Sequence, residues 1–96
     1  MKRIHLKAEA CGKGFFYLDH VPTGKVFTGT SKNVQQDVLL IKASLEDGVC
    51  KFKRLVKLYN AEPDFQVRFV MVDKLPDAKF LEKEFRSARP KHLLIN

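Results

Sequence analysis

Residues 14–33 read GFFYLDHVPTGKVFTGTSKN, and the fold follows from how this stretch is divided. The aromatic-rich run from Gly14 to Leu18 and the run Val26-Phe27-Thr28-Gly29 carry strand-forming residues, and Pro22-Thr23-Gly24 between them supplies turn chemistry. Proline presets φ for a turn and glycine tolerates φ > 0, so the stretch predicts a β-hairpin. Thr30, Ser31 and Asn33 then offer N-caps. Val34, Val38, Ile41 and Leu45 recur at steps of four, three and four before Gly48, which predicts an amphipathic helix with a glycine stop.

Working outward, the spacing of Phe52, Leu55, Val56 and Tyr59 predicts a second helix over about residues 51–59, broken by the 60–64 stretch. Phe65, Val67, Phe69 and Met71 alternate with Gln66, Arg68, Val70 and Val72. The second face turns apolar toward its end, so a central strand is expected. Pro76 and Asp77 open a third helix, with Phe80, Leu81, Phe85 and Ala88 as its apolar members and Pro90 as its stop. Leu93-Leu94-Ile95 is too apolar for a solvated tail and is expected to pack back onto the layers. On the N-terminal side, residues 4–8 alternate apolar and polar, consistent with a short strand or equally with a basic arm. The expected organisation is thus an arm or strand over 1–13 and one domain over 14–96. Its fold class is a small α/β (α+β) domain in the order β-β-α-α-β-α, a central three-stranded sheet flanked by helices.

Composition limits what such a domain can do. The 96 residues, 45% hydrophobic, accommodate one domain with a modest core. Eighteen Lys and Arg against eleven Asp and Glu leave a net charge of +7, a surplus that favours polyanionic partners such as nucleic acid without naming one. Nothing approaches the roughly 18 apolar residues of a membrane-spanning helix, so no membrane partner is expected. The mixed start Met-Lys-Arg-Ile-His lacks the apolar core of a secretion signal, and a cytoplasmic location is expected. Cys11 and Cys50 lie far apart without a CxxC or ligand-spaced histidine, fitting reduced thiols rather than a zinc site.

Gly14-Phe15-Phe16 and Phe27-Thr28-Gly29, with eleven positions from Phe16 to Phe27, resemble the two signature triplets of the GIY-YIG nuclease domain. The Thr23-Gly24-Lys25-Val26 turn, the helix start Ser31-Lys32-Asn33, the helix end at Gly48 and the late pair Glu82 and Phe85 extend the resemblance over roughly residues 14–96. It implies a phosphodiester-cutting scaffold. In that family two tyrosines position and deprotonate the attacking water, a first-helix arginine steadies the phosphate, and a late glutamate holds a divalent metal. Here the tyrosine positions are Phe16 and Phe27, which have no hydroxyl, and Asp37 falls where the arginine belongs, a carboxylate that would repel phosphate. The position one turn on, often a histidine, is Ile41. Only Glu82 matches, and one carboxylate alone is a weak Mg²⁺ site. Tyr17 cannot substitute, because strand alternation turns it to the face opposite Phe16. The resemblance therefore implies a catalytically degenerate member with no catalytic set, no resident metal and no cofactor, Mg²⁺ being needed only if activity survives.

Two groups of cations remain as candidate nucleic-acid contacts. Lys53, Arg54 and Lys57 lie on the second helix, and Lys79, Lys83 and Arg86 on the third, extended by Arg89 and Lys91. Leu39 and Leu40 fall off the core stripe of the first helix and are candidate contacts for a protein partner or a homodimer. Phe16 and Phe27 are expected either to make the former active-site concavity apolar or to fill it as core. Three functions follow: a nucleic-acid-binding or regulatory module, a protein-interaction module, and a metal-dependent DNA endonuclease with relocated groups such as Glu82, Glu84 and His20.

Overall fold

Strand alternation shares the hairpin between two layers. In the computed structural model, which describes residues 12–96, β1 (Gly14–His20) and β2 (Lys25–Ser31) pair antiparallel in the register Phe16↔Gly29, Tyr17↔Thr28 and Leu18↔Phe27. The turn between them closes as its residue types dictate: Gly24 has φ 72° and donates its N–H to the His20 carbonyl at 2.8 Å. Phe16, Leu18 and Phe27 face one side, and Phe15 and Tyr17 the other. The strand or arm expected over residues 4–8 lies outside the described residues.

The first side is covered by α1 (Val34–Glu46) and α2 (Lys53–Ala61), whose Val34, Val38, Leu45 and Leu55 close one core with Phe16, Leu18, Phe27, Phe65 and Ile95. The α1 start follows from its cap, since the Asn33 side chain accepts from the Gln36 N–H at 3.1 Å. Its end follows from Gly48, at φ 73°. Phe52 precedes α2 as its capping residue and sets its ring edge-on against Phe27, with centroids 4.8 Å apart. The second side is covered by α3 (Leu75–Ser87), where Phe85 meets Phe15 and Tyr17 at centroid distances of 5.3 and 4.4 Å. Tyr17 thus faces away from Phe16, as its strand position requires.

The element order is the expected β-β-α-α-β-α and the sheet has three antiparallel strands, but α2 begins and ends two residues later than the expected 51–59, and two further details differ from the sequence reading. The strand β3 (Phe65–Met71) pairs with β1, so the order is β2-β1-β3 and β1, not β3, is central. The reason is the reach of α3, which packs over β1 and β2 and leaves Gln66, Arg68 and Val70 open, Val70 at 49% exposure. An edge strand tolerates the polar face that a central one could not. The second difference is the apolar stripe of α3, which is Ala78, Leu81 and Phe85. Ala78 is fully buried, while Phe80, about 200° around the helix from it, and Ala88 are exposed.

The C-terminal residues do pack back. A 3-10 turn over Lys91–Leu93 leads into a parallel bridge from Leu94 to Val26 along the outer edge of β2, where the Ile95 N–H donates to the Val26 carbonyl at 2.7 Å. The Asn96 carboxamide continues this border, accepting from the Thr28 N–H at 3.0 Å and donating to the Thr28 carbonyl at 2.7 Å. The edge of β2 is closed by a tail and one side chain.

The register pairs Phe16 with Gly29 of β2, and a Cβ added there would stand 2.5 Å from the Phe16 Cζ at the tip of the ring. Gly29→Ala is expected to cost about 1–3 kcal/mol through overpacking. Thermal unfolding followed by circular dichroism reads this as a drop of at least several degrees, and an unchanged midpoint would contradict the packing of Phe16.

Candidate nucleic-acid interface

Helical spacing sets Lys79, Lys83 and Arg86 on one flank of α3, with Glu82 among them. The turn after the helix adds Arg89 and Lys91, and together with Ser87 and Leu94 these residues line an open groove of about 520 Å³. Arg89 is positioned by its guanidinium lying 3.8 Å over the Phe85 ring. Arg86 is half-buried and differs from the lysines. Its Nη1 donates to the Thr28 hydroxyl at 2.9 Å and to Asn96 Oδ1 at 3.2 Å, and its Nη2 donates to the Asn96 main-chain oxygen. It anchors the C-terminal segment and offers the groove its charge more than free donors.

The second basic group reaches the same segment from the opposite face of the sheet. Arg54 Nη2 donates to the Leu94 carbonyl at 3.2 Å. Arg54 and Lys57 line a depression of about 260 Å³ together with Lys25, Leu58, Ala61 and Ile95. Lys53 and Arg54 line an adjoining one with Phe52, Ile95 and Asn96. The eight candidate cations therefore flank residues 94–96, α3 on one side and α2 on the other. Lys25, at the start of β2, joins them; in the sequence it reads as a turn residue, and only the pairing of β2 brings it beside α2.

The positions to which the resemblance assigns catalytic roles fall elsewhere. Phe16 and Phe27 are 3% and 4% exposed and belong to the core under α1 and α2, and Phe27 also borders the depression that Phe52, Lys53 and Arg54 line. Asp37 lies in the first turn of α1, where its negative charge suits the positive helix end. Glu82 is on α3 across the sheet, so the two carboxylates are not brought together.

The relocated set is dispersed as well. His20 is 2% exposed, with Nδ1 2.7 Å from the Thr23 hydroxyl and Nε2 2.8 Å from the Glu62 carbonyl. A carbonyl only accepts, which puts a proton on Nε2, and Nδ1 pairs with the Thr23 hydroxyl, so both ring nitrogens are occupied. Glu82 and Glu84 sit about 200° apart around α3. Among the described residues, no three His, Cys, Asp or Glu side chains gather closely enough to hold a metal ion.

Leu39 and Leu40 are exposed, Leu40 at 61%, and with Asn33, Gln35 and Gln36 they line a shallow depression of about 330 Å³ on α1. Among the described residues, no helix is long and apolar enough to cross a membrane. Compared with protein-family models, with curated proteins and with solved structures, the chain matches none of them.

Proposed function

We propose that the chain is a cytoplasmic nucleic-acid-binding module on a degenerate GIY-YIG-like scaffold, acting by occupancy of DNA rather than by cutting it. The observation that carries this reading is the groove beside α3, where five cations surround a single carboxylate, with a second basic group just across residues 94–96. From Lys79 to Arg86 the helix axis advances about 10 Å, and Arg89 and Lys91 carry the track beyond the helix end, enough to meet more than one phosphate of a strand. The degenerate reading is supported by Phe16 and Phe27, buried rings that supply no hydroxyl. It invokes no cofactor. A mobility-shift titration at about 50 mM salt tests it: the expected result is a complex that weakens steeply toward about 200 mM. Absence of any complex at low salt overturns the proposal. Plasmid nicking in Mg²⁺ that disappears in Glu82→Ala would replace it with the nuclease reading.

A second reading is favoured by the exposed pair Leu39 and Leu40, a setting for a protein partner or a second copy of the chain. If α1 mediates self-association, light scattering gives a dimer mass that falls to the monomer value in Leu40→Asp. A monomer in both proteins removes the homodimer.

A further inference from the structure

Phe80 leaves 62% of its surface open to solvent, although it occupies the middle of a well-packed helix. Its neighbours on the helix surface define its setting. Lys83 and Ser87, three and seven residues on, share its stripe, and both line the basic groove. Asp77 and Glu84, at three before and four after, lie on its other flank. The ring therefore stands on the rim, with the groove's five cations and Glu82 on one side and Asp77 and Glu84 on the other. A polyanionic strand is drawn to the cationic side and kept from the acidic one, so it runs alongside the ring. In a duplex the base faces are already stacked and inaccessible to a side chain, whereas an unpaired strand offers them.

We propose that the α3 groove takes single-stranded nucleic acid, with phosphates along Lys79, Lys83, Arg89 and Lys91 and one base stacked on Phe80. This deepens, and rests on, the reading of the groove as a phosphate-binding surface. The arrangement combines the two elements that strand binding without sequence readout requires, a charged track and an aromatic platform beside it. Arg86, tied to Thr28 and Asn96, keeps the track's position relative to the sheet.

The chain contains no tryptophan, so Phe80→Trp places a single fluorescent reporter on the rim, and the site's exposure makes the substitution neutral to folding. Full-length wild type, Phe80→Ala and Phe80→Trp are titrated with an oligothymidylate of about 12 nucleotides and with the same strand in duplex form. Expected are tighter binding of the single strand, about ten-fold weaker single-strand binding in Phe80→Ala with duplex binding unchanged, and quenching of the indole emission of Phe80→Trp by the single strand. Equal affinities, an indifferent Phe80→Ala and an unquenched tryptophan overturn the stacking proposal while leaving the basic groove as a duplex-binding surface. No binding of either probe at low salt overturns both readings together.

Discussion

Phe65→Ala is expected to lower the free energy of unfolding by about 3–5 kcal/mol, the range for deleting a buried phenyl ring. Phe65 is fully buried at the start of β3, directly opposite His20 in the register, and the two rings lie 4.8 Å apart between centroids. Two loops meet around this pair: His20 holds Thr23 and the Glu62 carbonyl, and the Val21 N–H donates to the Asp64 carbonyl at 3.0 Å. Removing the ring leaves a void that polar loop backbone cannot fill, so little relaxation offsets the loss. Against a total of about 5–15 kcal/mol for a domain of this kind, the variant sits near or past its unfolding threshold. Urea titration checks it through the midpoint. Phe65→Leu, which keeps most of the volume, is expected to lose under about 1.5 kcal/mol, and equal losses in the two variants would argue against a filled core at that site.

Lys79→Ala combined with Lys83→Ala is expected to make the salt dependence of DNA binding shallower by about 1.8 in logarithmic slope for a duplex and about 1.4 for a single strand. Each cation that neutralises a phosphate releases condensed counterions, so the slope counts contacts independently of the absolute affinity. Both lysines are exposed on α3 and line the groove, which leaves the fold within about 0.5 kcal/mol of wild type. Affinity measured between about 50 and 200 mM salt provides the slope. An unchanged slope would move the phosphate track away from α3, leaving Lys53 and Lys57 on α2 as the next pair to neutralise. Arg86 is unsuitable for such a test, because losing its bonds to Thr28 and Asn96 would unfasten the C-terminal segment as well as remove a charge.

Much of the fold is legible in the residues because it is written in local periodicities. The Pro22-Thr23-Gly24 turn, the Asn33 cap, the Gly48 stop and the Val34-Val38-Ile41-Leu45 stripe each act over a few neighbours, and each is in the structure. The place of β3 is not local. Its half-polar face, Gln66 and Arg68, is the sign of an edge strand, yet Val70 and Val72 obscure it, and the sheet order depends on which strands α3 covers. The α3 stripe is ambiguous for a related reason. Leu81 and Phe85 suit a core face that includes either Ala78 or Phe80, and only packing against the sheet selects the alanine. The basic residues are legible as two helical groups. Their meeting is not, because it needs α2 and α3 on opposite faces and a tail between them that both Arg54 and Arg86 hold.

That tail ends in an arrangement with a chemical vulnerability. At Asn96 a single carboxamide supplies both an acceptor for the Thr28 N–H and a donor for the Thr28 carbonyl. Hydrolytic loss of its ammonia would turn the donor nitrogen into a second carboxylate oxygen, which faces the carbonyl without a proton to share. The sheet's shielded margin would then become a site for intermolecular strand addition, so chemical ageing at one amide would register as a tendency to self-associate.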